Sequence, residues 1–121
     1  MSKVTKSSLT RRLDRACSDI VRSRGKCERC GSVDTLQCCH IFSRTYRNLR
    51  WDLDNLLCMC ASCHFFCHKN PLSFSDFVER KLGKDKIDQL NETRNTIVKF
   101  TIKDLQLKLD VLNSLPRAES K

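Results

Sequence analysis

The spacing of apolar residues predicts a long helix near the start of this chain. Residues 8–24 place apolar side chains at helical intervals, and Gly25 can end the helix. The positions expected to face the core are Leu9, Leu13, Ala16, Cys17, Ile20 and Val21. The other face is rich in arginine, which fits either a solvated surface or one that contacts phosphates: Arg11, Arg12, Arg15, Arg22 and Arg24.

The middle of the chain changes to a looser, alternating pattern. Residues 35–42 suit a short strand, 43–54 form a polar loop, and a second strand is expected near 56–58. A short helix over 61–68 follows and is broken at Asn70-Pro71. The predicted order is therefore strand, loop, strand, helix.

Residues 73–115 return to helical periodicity. One helix is expected to begin at Ser73 or Ser75 and to end at Gly83, and the next is expected over residues 84–95. Thr101 and Asp104 resemble the capping box that starts a last helix. The positions expected to point inward are Phe74, Phe77, Val78 and Leu82 in the first of these helices, and Ile102, Leu105, Leu109 and Leu112 in the last.

Two Cys-x-x-Cys pairs bracket the middle region and predict one structural zinc ion. Each pair supplies two sulfurs from one turn, and two pairs complete a tetrahedral site. The pairs are Cys27/Cys30 and Cys60/Cys63, and the thirty residues from Cys30 to Cys60 leave room for a hairpin between them. In a competing set, Cys58 or His64 replaces one of these thiolates.

The cysteine count favours a reducing compartment over a disulfide-bonded one. Nine cysteines are an odd number, and six of them are crowded between Cys38 and Cys67 at spacings that suit metals. The first residues lack the apolar segment of a secretory signal, and no apolar run approaches a membrane span. We therefore expect a cytoplasmic protein without a membrane partner.

Charge points to a polyanionic partner. Twenty-three Lys and Arg residues stand against fourteen Asp and Glu, a formal charge of +9, and four zinc-bound thiolates would leave about +7. Each phosphate that such a surface neutralises releases counterions, which favours nucleic acid. A length of 121 residues suits a single domain over residues 1–121, and a core this small benefits from a bound metal.

The three histidines of the chain all fall within this cysteine-rich region. His40 lies near the end of the first predicted strand, Asn55 precedes the second, and His64 and His68 lie one turn apart on the predicted helix. The run LQCCHIFSR…WDLDNLLCMCASCHFFCHKNP resembles the HNH nuclease family, which has a ββα-metal fold. The likeness covers residues 27–70, and the following helices are similar to small phage-type HNH proteins, including the NinG/Rap-like recombination nucleases, which implies a role in phage or mobile-element DNA processing or recombination.

The resemblance implies a role for each of these side chains. His40 would be the general base that activates water in DNA phosphodiester hydrolysis, and Asn55 would hold the loop that orients it. His64 and His68 would bind a catalytic divalent metal such as Mg²⁺, Mn²⁺ or Zn²⁺. The family usually has Asp or His before the catalytic histidine, where this chain has Cys39. Cys39 would be a third, softer ligand, or it only packs in the core.

The loop between the strands carries three arginines that we assign to the DNA backbone: Arg44, Arg47 and Arg50. The predicted fold class is a small α+β protein, with a ββα-metal core held by the four-cysteine zinc site and flanked by N-terminal and C-terminal helices. The terminal helices could also form a homodimer and so allow paired cuts in branched or duplex DNA.

Two other readings of the same residues stay open. In one, the chain is a non-catalytic zinc module that binds nucleic acid, and it needs no histidine outside the zinc site. In the other, the three histidines complete a second structural zinc site with Cys39 or Cys67.

Overall fold

A computed structural model describes residues 4–117 and shows a small α+β protein. Its elements are α1 (Lys6–Arg22), β1 (Leu36–His40), α2 (Arg47–Arg50), β2 (Leu56–Cys60), α3 (Ala61–Lys69), α4 (Pro71–Leu82), α5 (Lys84–Arg94) and α6 (Ile102–Ser114). A single 3-10 turn, Leu53–Asn55, leads into β2. The predicted order of two strands and a helix after the first cysteine pair is confirmed.

Local capping explains where the first helix begins. The hydroxyl oxygen of Thr5 accepts a hydrogen bond from the backbone N–H of Ser8 at 3.0 Å, and the Ser8 side chain accepts one from Thr5 in return. This capping box starts α1 at Lys6, two residues before the predicted start. At the other end Gly25 has a φ of 90°, a value that glycine adopts without strain, and the chain turns there toward Cys27.

Two further boundaries differ from the prediction. The loop over 43–54 contains one turn of helix, α2, which is too short to leave a periodic pattern in the sequence. Pro71 starts α4 instead of only ending α3, because a proline at the first helical position lacks an N–H that would have no partner there. A cap at Ser73 or Ser75 was therefore wrong.

The two strands pair antiparallel and are covered by helices on both faces. Leu36 lies opposite Cys60 and His40 opposite Leu56, so Cys38 and Cys39 point to opposite faces. One face packs against α1 and α6, and the other packs against α3 and α4. All five residues of β2 are buried, which is why its sequence is a continuous apolar run.

The last helix closes the core by packing on the first. Leu105, Leu109 and Leu112 are buried in the same cluster as Leu9 and Leu13. The capping box of Thr101 and Asp104 is present, but Ile102 is 44% exposed and does not face the core as predicted. A homodimer through the terminal helices stays a prediction, and it would have to use their outer faces. No helix within residues 4–117 has the length and apolar character needed to cross a membrane.

We expect Leu105→Ala to lower the free energy of unfolding by about 2–5 kcal/mol, because it leaves a cavity in a fully buried site between α1 and α6. Leu107, on the same helix, is 55% exposed, and Leu107→Ala should change stability by less than about 0.5 kcal/mol. Urea unfolding of both zinc-loaded variants measures the difference. Equal losses would contradict the packing of α6 on α1.

Candidate metal centre and adjoining cleft

The two Cys-x-x-Cys pairs meet in space. The sulfurs of Cys27, Cys30, Cys60 and Cys63 all lie within 4.8 Å of one another, and those of Cys30 and Cys60 are 3.7 Å apart. A tetrahedron with metal–sulfur bonds of about 2.3 Å has sulfur–sulfur edges of about 3.8 Å. A disulfide would bring two sulfurs to about 2.05 Å, and all four cysteines are free. This four-cysteine cluster therefore has the size that a zinc ion requires.

Backbone N–H groups donate hydrogen bonds to two of the four sulfurs and favour the thiolate form of these cysteines. Cys27 Sγ accepts hydrogen bonds from the N–H groups of Arg29 at 3.4 Å and Cys30 at 3.5 Å, and Cys60 Sγ accepts one from Cys63 at 3.4 Å. Burial opposes ionisation of Cys27, but hydrogen bonds from backbone N–H groups outweigh it and lower the pKa of Cys27 to about 6.

A second sulfur of the cluster behaves differently. Burial raises the pKa of Cys63 to about 12, although the Arg29 guanidinium donates to its sulfur at 3.3 Å. Without a cation, the Cys63 thiol therefore keeps its proton at pH 7. A divalent ion would displace this proton, and the donor set fits zinc better than harder cations.

Glu28 joins the first cysteine pair to β2. Its carboxylate accepts a hydrogen bond from the N–H of Cys58 at 2.6 Å and a charged one from Arg24 at 3.0 Å. The N–H of Glu28 in turn donates to the Cys58 carbonyl at 2.8 Å. Arg24 also donates to the carbonyl of Leu56 at 2.9 Å. These bonds hold the turn at Cys27 against the strand that leads to Cys60.

Neither competing ligand enters the cluster. Cys58 is fully buried on the face that packs against α1, and the ring of His64 is bonded to Gln37. Among residues 4–117, only the four predicted cysteines bring three or more potential ligands together. A second structural zinc site built from the histidines with Cys39 or Cys67 is therefore not assembled in this part of the chain.

The four-cysteine cluster predicts one tightly held zinc ion per chain. Cys30→Ser should abolish it and lower the melting temperature, since zinc contributes on the order of 10 kcal/mol or more to small zinc domains. Cys38→Ser, in a half-buried cysteine outside the cluster, should retain the metal. Elemental analysis after dialysis measures both. Two tightly held zinc ions in the wild type, or full zinc in Cys30→Ser, would contradict this assignment.

A cleft of about 770 Å³ lies along the unpaired edge of β1. Because the sheet has only two strands, one edge of β1 has no partner strand. Residues of α1 on one face of the sheet and of α3 on the other line the space beside this edge. The cleft is lined by the predicted site residues Cys39, His40, Arg44, Arg50, His64 and His68. All three histidines therefore line one space.

The geometry around His40 defines which ring nitrogen is free. Its Nε2 lies 3.1 Å from the carbonyl oxygen of Arg50, which only accepts hydrogen bonds. The proton is therefore on Nε2, and Nδ1 carries a lone pair. Burial lowers the pKa of His40 below 6.5, in spite of the opposing hydrogen bond to the Arg50 carbonyl. His40 is consequently neutral at pH 7, the state that a general base needs.

The first helical histidine is oriented by a neighbouring strand. His64 Nδ1 lies 2.8 Å from the side-chain oxygen of Gln37, so Nδ1 donates and the lone pair of Nε2 remains available for a cation. Burial, followed by the nearby charge of His68, lowers the pKa of His64. His68 lies one turn further along α3 and is exposed in the cleft.

Cys39 is a poor candidate for the predicted third ligand. It is buried, and burial raises the pKa of its thiol to about 12. Its sulfur lies 3.9 Å from the carbonyl oxygen of His40, to which the thiol donates. Cys39, His64 and His68 do not come together as a three-ligand group in the described residues. The geometry favours the reading in which Cys39 packs in the core.

Asn55 holds the loop and does not reach the cleft. It is the one buried polar side chain in the described core, and all its hydrogen bonds go to backbone. Its amide oxygen accepts from the N–H of Phe42 at 2.8 Å, and its amide nitrogen donates to the carbonyls of Phe42 at 3.0 Å and Leu49 at 3.1 Å. Asn55 is therefore a positioning residue for the segment that carries His40 and Arg50.

The three loop arginines have different environments. Arg50 is only 15% exposed and forms a bidentate ion pair with Asp14, with nitrogen–oxygen distances of 2.9 and 2.7 Å. Arg47 donates to the Thr10 hydroxyl at 3.4 Å and is exposed. Arg44 is 64% exposed at the rim of the cleft, 3.8 Å from Asp14. Arg50 therefore serves the fold, whereas Arg44 and Arg47 face solvent.

Sequence reasoning missed Asp14 and Gln37. Asp14 also accepts a hydrogen bond from the indole N–H of Trp51 at 2.8 Å, so it fixes both the side chain of Arg50 and its neighbour. The Arg50 carbonyl is the group that orients His40, which makes Asp14 part of the support for the catalytic candidate. The one sequence signal for Asp14 is that it is an acidic residue on an otherwise arginine-rich face of α1. That signal does not identify Arg50 as its partner.

Comparison of the chain with protein-family models, with curated proteins and with solved structures found no match.

We expect Asp14→Asn to destabilise the protein by about 1–3 kcal/mol, because it leaves the half-buried Arg50 without its charged partner. Burial would raise the pKa of Asp14, but hydrogen bonds from Arg50 and Trp51 hold it below 3.8. The stabilisation is therefore present above pH 4 and lost as the pH falls through that lowered pKa.

Asp19→Asn is the matched control on the same helix, since its partner Arg22 is exposed and such pairs contribute little. Urea unfolding at pH 7 and pH 3 measures both variants. Equal stabilities of the two variants at pH 7 would show that the Asp14–Arg50 pair does not hold the loop.

Proposed function

We propose that this protein is a metal-dependent endonuclease that hydrolyses DNA phosphodiester bonds. The observation that carries the proposal is the single cleft into which His40, His64 and His68 all project. A neutral, oriented imidazole can serve as the general base of phosphodiester hydrolysis, and two further imidazoles on an adjacent helix can bind a divalent metal.

His40 supplies the base in this proposal. With its Nε2 proton bonded to the Arg50 carbonyl, Nδ1 can accept a proton from an attacking water molecule. The carbonyl then stabilises the imidazolium that forms. General-base action of this kind contributes about 10²–10⁴-fold to a rate. Asn55 forms three hydrogen bonds with the backbone of the loop that carries Arg50. It therefore helps to keep the Arg50 carbonyl in place beside the His40 ring.

His64 and His68 would hold the catalytic divalent metal, with water completing its coordination. A cation bound there would stabilise the negative charge that develops on the phosphate and on the leaving 3′ oxygen. Gln37 keeps Nε2 of His64 in the acceptor form that such a ligand needs. Two imidazoles without a thiolate accept several transition metals, so the structure favours no single ion at this position.

The rim of the cleft suits a phosphodiester substrate. Arg44 places an exposed guanidinium there, and the chain carries a formal charge of +9. Arginine forms paired hydrogen bonds with phosphate oxygens. These features support DNA as the substrate, with Arg44 rather than Arg50 as the group that contacts its backbone.

The proposed activity is the one that the resemblance to HNH nucleases implies. The consecutive β1, β2 and α3, the cysteine cluster beside them and the loop-holding Asn55 support a ββα-metal reading of residues 27–70. The small phage-type branch and a role in recombination remain inferences from the sequence likeness.

A non-catalytic zinc module that binds nucleic acid is the second candidate. The four-cysteine cluster and the positive charge fit it equally well. A binding module has no need for the neutral His40 in a cleft with two other histidines. A measurement of DNA cleavage distinguishes the two candidate functions.

We expect the zinc-loaded wild type to nick supercoiled plasmid when a divalent metal is added, and His40→Ala to nick at least about 100-fold more slowly. His40→Gln is a second test, because its amide can still donate to the Arg50 carbonyl but cannot serve as the base. Thr45→Ala, in the same exposed loop and outside the cleft, should match the wild type.

The wild-type rate should also fall as the pH drops through a value below 6.5, because the lowered pKa keeps His40 neutral down to that point. Circular dichroism and zinc content confirm that each variant is folded. If His40→Ala and His40→Gln nick as fast as the wild type, His40 is not the base, and if no metal supports nicking by the wild type, the binding module is the better reading.

A further inference from the structure

A second groove, of about 620 Å³, lies next to the cleft. It runs between the first half of α1, the loop that contains α2, and the segment 98–100 before α6. Asp14, Arg44 and Arg50 line both spaces, so the groove continues from the rim of the cleft. We call it the α1 groove.

The α1 groove is strongly basic, and within residues 4–117 four of its six basic residues form no ion pair. Its basic lining residues are Lys6, Arg11, Arg44, Arg47, Arg50 and Lys99. Asp14 is the only acidic residue among those that line it, and it is already bonded to Arg50 and Trp51. Within residues 4–117, Lys6, Arg11 and Lys99 form no ion pair, and Arg47 contacts only a hydroxyl and an aromatic ring.

Hydroxyl groups and two apolar side chains complete the groove. Ser7 and Thr10 lie between the cations on α1, and hydroxyls of this kind also donate to phosphate oxygens. Val98 and Phe100 line the opposite side, and Phe100 packs on Trp51 with ring centroids 6.0 Å apart. Lys99 is therefore next to a residue that packs in the core.

The length of the α1 groove matches a short stretch of nucleic acid. From Lys6 to Asp14 the helix rises about 12 Å. That distance equals roughly three to four base-pair steps of about 3.4 Å along the axis of a duplex. A few successive phosphates could therefore lie on α1 while the next phosphodiester reaches His40.

We propose that the α1 groove binds the backbone of duplex DNA next to the bond that is cut. The choice of DNA rests on the proposed function, whereas the preference for a polyanion rests on the groove itself. The inference assigns substrate contacts to Lys6, Arg11, Arg47 and Lys99, three of which lie outside the segment that resembles HNH nucleases.

Neighbouring arginines on α1 provide a matched control. Arg11 lines the α1 groove, whereas Arg12 is also exposed but points about 100° away around the helix and lines neither space. Arg11→Glu and Arg12→Glu change the net charge of the chain equally. Any difference between them reports position and not overall charge.

Binding to a fluorescent 20-base-pair duplex is measured by anisotropy over a range of salt concentrations. All variants are made in the zinc-loaded His40→Ala protein, so that the duplex is not cut. Arg11→Glu and Lys99→Glu should each weaken binding by about tenfold at low salt. Each should also reduce the slope of log K against log[salt] by about 1.

Arg12→Glu should weaken binding by less than about threefold. Equal losses for Arg11→Glu and Arg12→Glu, or no loss for Arg11→Glu and Lys99→Glu, would overturn the proposal. A duplex RNA of the same length or a heparin fragment serves as a competitor, and tighter binding of either than of DNA would also overturn it.

The result is separable from the proposed function. If the wild type cuts no DNA but the groove variants lose binding as expected, catalysis fails and the α1 groove stands. If the wild type cuts DNA and the groove variants bind like Arg12→Glu, the α1 groove fails and catalysis stands.

Discussion

The four-cysteine cluster is the constraint on which the rest of the structure depends. Its sulfurs join the turn at Cys27 to the point where β2 ends and α3 begins. A two-stranded sheet is marginal on its own in water. Helices on both faces support this one, and zinc bound to the four sulfurs would add a cross-link at the end of β2. Because α3 starts at the cluster, the position of the helix, and therefore of His64, follows from the sulfur geometry.

The same corner separates two kinds of chemistry. Three of the four cysteines of the cluster are buried, and the sulfurs of Cys27 and Cys60 accept hydrogen bonds from backbone amides, whereas the histidines lie along the open edge of β1. The alternation of β1 directs Cys39 into the core and His40 toward the side covered by α1. Support for His40 then comes from outside the cysteine-rich region, through Asp14 and the carbonyl of Arg50. This arrangement explains how a chain of this size can combine a stable core with a half-buried, neutral imidazole.

Much of this could be predicted from sequence, and the omissions have physical causes. Cysteine spacing predicted the cluster because tetrahedral sulfur sites restrict the ligand pattern, and periodicity predicted α1, α4 and α6 because their inward faces are apolar. The structural role of Arg50 was missed because sequence does not show that Asp14 lies next to it. Cys39 was considered as a ligand because the family position suggested one, but burial favours its neutral thiol. Tertiary partners of polar residues are the information that a single sequence lacks.

The central proposal is that the four cysteines bind a structural zinc ion, whereas His64 and His68 bind a separate catalytic cation. Anomalous X-ray scattering from zinc-loaded crystals soaked in Mn²⁺ tests it directly. The account predicts a zinc peak among the sulfurs of Cys27, Cys30, Cys60 and Cys63, and a separate manganese peak beside His64 and His68 in the cleft with His40. Absence of zinc from the four sulfurs, or manganese bound away from these histidines, would contradict it.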